Sequence, residues 1–341
     1  MNPVTRRNLI RTGATAGAAA TLPMVAAEPA AARPASRPGR GVIRVLVWNI
    51  YQGGHGVDSE HNLRHLLDQL VAIEPDVFLA VETYGSGPRI RDALARRCGK
   101  GAYTGIQLTQ RPSGEDNLWL FTHLPVLEVY QTAEGDVVTD FNLGGARLGL
   151  PGGRAMNVFD TWLNYTDPWI GYLIDENAAG IRAGQQPRHP AAAVVRADQR
   201  QTRQAREIVD RQLPAMLGDE RGPVLIGGDL NTLPAMDWTP DFADSPNHLG
   251  MTYPLTASRV FQEAGFTDLY RTAHPDAAAH EGRTWCPLPT ERMITPQRID
   301  MLFGRGIRVR DAATVDERMP EHGAGTFYSD HAAIYVDLHV R

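Results

Sequence analysis

Two cysteines in 341 residues, Cys98 and Cys286, are too few for a disulfide-built scaffold, and neither stands in a thiol-catalysis or zinc-ligand spacing. They suit one bridge in an oxidising compartment, or burial as small apolar side chains. Excess positive charge is also missing. The formal net charge is −5, and it becomes −7 when residues 1–32, with Arg6, Arg7, Arg11 and Glu28, are set aside. No strong basic field therefore advertises a polyanionic partner, although a local basic rim or a bound cation can offset the global sign. Beyond the N-terminal segment no apolar run is long enough to span a bilayer, and no internal repeat stands out. These absences exclude a disulfide miniprotein, an integral membrane protein and a repeat array, and leave one large soluble domain near the upper end of single-core sizes.

What is present begins with an address. Thr5-Arg6-Arg7-Asn8-Leu9-Ile10-Arg11 precedes a mild Ala/Gly/Thr-rich run to about Ala27 and then a Pro/Ala/Arg-rich tract. This resembles a twin-arginine export signal, with small residues at Ala27 or Ala32 for cleavage. The expected division is a signal over 1–32, a linker over 33–41 and a single domain over 42–341, secreted or periplasmic, monomeric and exported folded.

The densest chemical signal lies in Pro223 to Pro234, PVLIGGDLNTLP, where an apolar run stops at Gly227-Gly228-Asp229-Leu230-Asn231. Two glycines allow the backbone to pass close to something at the strand's end. Asp229 and Asn231 share a side-chain parity and can turn toward one point. Oxygen donors there suit a hard cation, Mg²⁺ or alternatively Mn²⁺ or Ca²⁺. Similar endings recur: Val42 to Trp48 leads to Asn49, Asp76 to Val81 leads to Glu82, Arg298-Ile299 leads to Asp300, and Tyr328-Ser329 leads to Asp330-His331. One such residue is ordinarily a turn former or helix cap. Five strand-end groups of one chemical kind resist that explanation.

The coarse pattern is helix over Ser59–Ile73, with Asp58 or Ser59 as N-cap, and helix over Pro88–Cys98. Strands are expected at Leu118–Thr122, Val126–Tyr130, Val137–Leu143 and Ala155–Leu163, helix over Asp198–Leu217, and part of another at Val260–Ala264. Such an order favours two packed sheets with helices outside, an α/β fold.

Asn49 in WNI, Glu82 in VETY, Asp229 and Asn231 in GGDLN, Asp300 in RIDMLF and Asp330-His331 in YSDHAAI resemble, in order, the motifs of the endonuclease/exonuclease/phosphatase superfamily. The resemblance covers roughly residues 42–341. It implies a four-layer α/β/β/α sandwich of two mixed sheets and a metal-dependent phosphoesterase, more specific for the superfamily than for any substrate. It implies that Glu82, Asn49, Asp330 and Asp229 hold the metal and that Asp229 orients or deprotonates the attacking water. It also implies that Asn231 holds a phosphoryl oxygen, and that His331, charged and oriented by Asp300, donates to the phosphate.

One departure matters. Where members carry Thr-His-Leu, this chain reads Asp160-Thr161-Trp162-Leu163, with Trp162 in the histidine's place. Indole donates one hydrogen bond but carries neither proton nor charge. Asp160, on the same strand face, and His55, close behind Asn49, join Trp162 as candidates for the substrate side. The long segments Tyr165–Val195, Leu233–Leu255 and Arg271–Gln297 offer aromatics and arginines for a rim, or for pinning those loops down. Asp237-Trp238 and Thr284-Trp285 look like features of a secreted bacterial branch of the superfamily. The expected activity is phosphodiester hydrolysis, with nucleic acid possible as a substrate only. The alternatives are an extracellular nuclease and a non-catalytic metal-binding recognition protein that exploits Trp162.

Overall fold

A computed structural model describes residues 41–57 and 61–340. The expected export signal, all but the last residue of the linker, and the expected caps Asp58 and Ser59 lie outside these residues. Among the described residues, twelve strands form two six-stranded sheets. They are β1 (Val42–Asn49), β2 (Val77–Val81), β3 (Thr104–Gln107), β4 (Trp119–Thr122), β5 (Val126–Val129), β6 (Leu143–Leu150), β7 (Arg154–Trp162), β8 (Val224–Asp229), β9 (Thr267–Asp268), β10 (Asp300–Arg305), β11 (Val309–Val315) and β12 (Ala333–His339). One sheet runs β11-β12-β1-β2-β4-β3, the other β5-β6-β7-β8-β10-β9.

Period-two burial assembles the layers. Along β1, Val45 and Val47 enter the core between the sheets, while Leu46 and Trp48 face the helices Asn62–Ile73 and Gly87–Arg97. In the second sheet Leu225 and Val158 point inward, whereas Ile226 and Phe159 point toward the helical residues Ala205, Ile208, Leu213, Val260 and Phe261. The architecture is the expected α/β/β/α sandwich.

Polarity of the strands decides where chemistry collects. β1 and β2 are parallel, as are β7 and β8, so Asn49, the residue after Val81, Trp162 and Asp229 emerge at strand ends. β12 runs antiparallel to β1, and β10 antiparallel to β8 with Asp300 opposite Asp229. Residues before β12 and at the start of β10 therefore arrive at the same edge. Asp300 is the first residue of its strand, not a residue beyond a strand's end.

Several expected elements shift. The strand expected at Val137–Leu143 is instead β6, Leu143–Leu150, and the turn before it contributes only one isolated bridge, Glu134 to Thr139. The helix over Asp198–Leu217 is helical throughout but changes pitch, with a π segment at Ile208–Gln212. The helix expected to end at Ile73 does so and is described from Asn62, after His61. The long segments are not bare loops: Ile170–Arg182 and Ala191–Ala197 are helices. Trp169, Trp238, Tyr253 and Trp285 are buried in a separate apolar cluster that these segments share. The aromatics considered for a rim thus mainly hold the segments together. Arg298, fully buried, pairs with Asp268 at 2.8 Å and Asp237 at 3.2 Å, and Arg271 adds 2.7 Å to Asp237. This network ties the segment carrying Asp237 to Asp268 of β9 and to Arg298 just before β10, because a buried guanidinium is tolerated only when carboxylates pair with it. Cys98 and Cys286 are both buried and are not joined to each other.

Candidate active site

Asn49 sits at the centre of the converging edge. Its Nδ2 donates to Glu82 Oε1 at 3.0 Å and to Asp229 Oδ2 at 3.1 Å, and lies 3.4 Å from His331 Nε2. Its Oδ1 accepts the Tyr51 N–H at 3.1 Å. One amide thereby spans the two sheets, with a carboxylate from the first and one from the second on the same nitrogen. The backbone around it is fixed by Ser329, whose hydroxyl donates to Asn49 O at 2.7 Å while accepting the His331 N–H at 3.0 Å.

His331 is buried and donates from Nδ1 to Asp300 Oδ2 at 2.8 Å. Its Nε2 looks toward Asp229 Oδ2 at 3.8 Å and Asp330 Oδ1 at 3.9 Å. Burial alone lowers an imidazole's pKa, but the charges of Asp300 and Asp229, with Asp330 behind them, outweigh it and push His331 up to about 10. The raised value favours the charged imidazole, which donates from Nδ1 to Asp300 and turns its Nε2 toward two carboxylates that lie beyond hydrogen-bond distance. Thr284 sets its alignment with Asp300: the Thr284 hydroxyl accepts the N–H groups of Ile299 and Asp300 at 2.9 and 3.0 Å, and its carbonyl accepts the Ala332 N–H at 2.7 Å.

The GGDLN turn works differently from its sequence reading. The glycines pass close to protein, not to an open site. A Cβ on Gly227 would meet Val47 of the facing sheet at 2.9 Å, and one on Gly228 would lie 1.7 Å from Thr161 O. Asn231, at φ +48°, spends its backbone N–H on Asp229 Oδ1 at 2.9 Å and its amide on Leu163 O at 2.9 Å and Asp229 Oδ2 at 3.3 Å. Both Asn231 donors thus serve Asp229 and the adjoining strand, so this residue orients the carboxylate rather than presenting a free donor to a phosphate. Asp198, which sequence reasoning passed over as a helix start, takes the Thr232 hydroxyl together with the N–H groups of Thr256 and Ala257, anchoring the same turn from behind.

Trp162 lies level with Asp229 in the register of β7 and β8. Its ring stands edge-on to Phe141 at 5.5 Å, and its buried Nε1 has no hydrogen-bond partner among the described residues. Asp160 does not reach the surface: it is fully buried between the sheets, opposite Gly144 and Gly227, and among the described residues neither carboxylate oxygen has a well-formed hydrogen bond, the neighbouring Thr161 N–H giving it weak support. Burial pushes that carboxyl well above the usual carboxylate range. A substrate resting on the outside of the sandwich cannot touch it in this conformation. His55 is exposed on the turn after Asn49.

Two further residues went unassigned in the sequence. Asn117 accepts the Glu82 N–H at 2.9 Å and donates to Phe141 O at 2.9 Å, locking the Glu82 turn to the wall beside Trp162. Tyr84 shares that turn with Glu82. Burial, reinforced by the negative charges of Glu82, Asp116 and Asp229, pushes its phenol upward, so its O–H remains a donor. The Gly85 that follows Tyr84 was the available signal, since it marks a tight turn directly after Glu82.

The donor set fits a hard divalent cation. Glu82, Asp229, Asp300 and Asp330 place four carboxylates against one imidazolium, and the buried Asp300 Oδ1 lacks a partner. Asp229, Asp300 and His331 offer ligand atoms within 4.8 Å of one another. The His331–Asp300 hydrogen bond engages two of those three groups, which favours the oxygens around Asn49, Glu82 and Asp229 as the cation's side of the cluster. No helix among the described residues is long and apolar enough to cross a membrane.

The computed structure is similar to the human Nocturnin catalytic domain with bound sulfate anion, at TM-score 0.55 and 16% identity over 89% of this chain and 96% of that one. It is also similar to truncated TDP2 of Caenorhabditis elegans, at 0.53 and 15% over 87% and 98%, and to an AP endonuclease from Archaeoglobus fulgidus, at 0.51 and 16% over 86% and 98%. These likenesses support the fold. In sequence, uncharacterized protein F14F9.5 of Caenorhabditis elegans is 23% identical over 319 residues, 86% of this chain and 90% of that protein. Residues 46–331, from within β1 to the histidine of the Ser-Asp-His motif, match the profile of the Endonuclease/Exonuclease/phosphatase family, and the chain belongs to that family of phosphoesterases.

Proposed function

We propose that this chain is an exported, divalent-cation-dependent phosphodiesterase. The observation that carries the proposal is the Asn49 amide, which draws Glu82 and Asp229 from two different sheets to one point, 3.4 Å from an imidazolium held by Asp300. Glu82, Asn49, Asp229 and Asp330 are the residues that would hold the cation, Mg²⁺ or alternatively Mn²⁺ or Ca²⁺. When bound, it would neutralise charge on the phosphoryl oxygens and acidify a nearby water.

The chain's own groups do the rest. Asp229, steadied by both Asn231 donors, accepts the proton of the attacking water. His331 donates from Nε2 to a phosphoryl oxygen, while Asp300 on Nδ1 keeps the ring charged and aimed. Trp162 contributes a flat wall and a single neutral donor where an imidazole would add charge.

Purified mature protein assayed with Mg²⁺, Mn²⁺ or Ca²⁺ on bis(p-nitrophenyl) phosphate, plasmid DNA, RNA and sphingomyelin tests the reading and ranks substrates. Cleavage of DNA in preference to the other esters would identify an extracellular nuclease. Stoichiometric cation binding without turnover of any ester would favour a recognition protein. The twin-arginine address is tested by fusing residues 1–41 to a folded reporter: export lost on Arg6→Lys/Arg7→Lys supports it, and export unaffected by that change contradicts it.

A further inference from the structure

The turn after β2 is unusually constrained. Glu82 has φ +58°, Tyr84 φ +36° and Gly85 φ +89°, two of the three being residues that rarely enter the left-handed region. Such a backbone persists only when its surroundings over-determine it, and here they do. Glu82 N donates to the Asn117 side chain at 2.9 Å, Thr83 N to Asn117 O at 3.1 Å, and Tyr84 N to Asp116 O at 3.0 Å. The Thr83 hydroxyl adds a bond to Asn117 O at 2.8 Å, and Glu82 O accepts the Gly53 N–H at 2.8 Å. A turn that had only to deliver Glu82 could relax immediately afterwards. This one stays strained through Tyr84, whose side chain is half-buried in the field of Glu82, Asp116 and Asp229 and whose hydroxyl makes no hydrogen bond among the described residues. Because Tyr84 is partly exposed, its O–H meets water in the free protein and is a donor that an entering oxyanion at the end of the Glu82 turn can take over.

We propose that Tyr84 is a catalytic residue whose phenol O–H donates to a non-bridging oxygen of the bound phosphodiester. It supplies from the Glu82 turn part of the stabilisation that an imidazole at position 162 would otherwise give. No proton is transferred: the hydroxyl shortens its hydrogen bond as charge builds on that oxygen. The inference rests on the phosphodiesterase reading for its reaction, but its binding consequence stands apart.

Tyr84→Phe removes the hydroxyl and keeps the ring, so wild type, Tyr84→Phe and Tyr84→Ala are compared in three measurements. With Mg²⁺ and bis(p-nitrophenyl) phosphate, Tyr84→Phe is expected to lower kcat by roughly 10- to 100-fold with KM nearly unchanged. Calorimetric titration of the Mg²⁺-loaded protein with inorganic phosphate is expected to show affinity reduced by about fivefold or more. The melting temperature of Tyr84→Phe stays with wild type. In a Trp162→His background the kcat defect should shrink, since the two donors serve one charge. A Tyr84→Phe protein with wild-type kcat and wild-type phosphate affinity overturns the proposal, leaving any loss in Tyr84→Ala to packing. If wild type hydrolyses no ester, the phosphodiesterase reading fails by itself, and the phosphate titration still decides whether Tyr84 contacts an oxyanion.

Discussion

His331 and Trp162 are two nitrogen-bearing rings at the same end of the sandwich, and the fold treats them in opposite ways. His331 is engaged on both nitrogens' sides by carboxylates, is held in place by Ser329 and Thr284 through the backbone, and is charged as a result. Among the described residues Trp162 leans edge-on against Phe141 with its one donor unpartnered, and two residues behind it Asp160 is buried without a well-formed hydrogen bond to either oxygen. One region is a pre-oriented electrostatic device in which Asp300 Oδ2 holds the imidazole and Asp300 Oδ1 is left over beside it. The other carries buried polar groups left over, which cost stability wherever no ligand or water meets them. If the contrast governs function, the Asp229–His331 side carries the chemistry and the Trp162 side contributes less, which the following substitutions decide.

The largest expected effect comes from removing the base. Asp229→Ala should lower kcat by roughly 10³-fold or more in a phosphodiester assay, because Asp229 is the carboxylate that the Asn231 N–H and the Asn49 amide hold beside His331. Next is Asp300→Asn, which keeps a hydrogen-bonding group but removes the nearest charge opposing His331. A fall in kcat of about 10²-fold is expected, read alongside an unchanged melting curve in the Mg²⁺-loaded protein. Trp162→His probes the other wall directly. A rate gain of about tenfold would show that the indole is a genuine loss to catalysis, whereas no gain would place Trp162 among packing residues.

The smallest effect is thermodynamic and belongs to Asp160. Its carboxyl stays neutral in the folded chain and ionises above the ordinary value of 3.8 in the unfolded chain. Above that value the folded state therefore binds more protons, and stability falls as pH rises toward the raised folded value. Chemical denaturation at pH 4 and pH 8 should show wild type losing stability relative to Asp160→Asn as pH rises. Parallel pH profiles would mean that Asp160 acquires a partner.

Much of this was legible in the sequence because it depends on local rules. Apolar strands that stop at Asn49, Glu82 and Asp229 declare both the element and its end, and the convergence of antiparallel β10 and β12 brings Asp300 and His331 to the same edge. β6 was missed because Gly144, Gly145 and Gly149 weaken its strand signal, although the facing core leaves no room for larger side chains. The helices Ile170–Arg182 and Ala191–Ala197 lie within one long segment broken by Gly184, Pro187 and Pro190, and draw stability from a satellite core that only the assembled segments create. Asn231 was assigned to the phosphate because its type fits, yet its donors are consumed within the turn. Residue type is visible in a sequence; the direction in which a donor points is decided by tertiary contacts.

The central claim is that the cluster around Asn49, Glu82 and Asp229 is a cation-dependent phosphoesterase site. The most direct measurement is hydrolysis of bis(p-nitrophenyl) phosphate by the mature protein after exhaustive chelation, after return of Mg²⁺ or Mn²⁺, and in parallel by Asp229→Ala. The account predicts activity that disappears with the chelator, returns with the cation and is nearly absent from the variant. Hydrolysis that survives both the chelator and Asp229→Ala would contradict it.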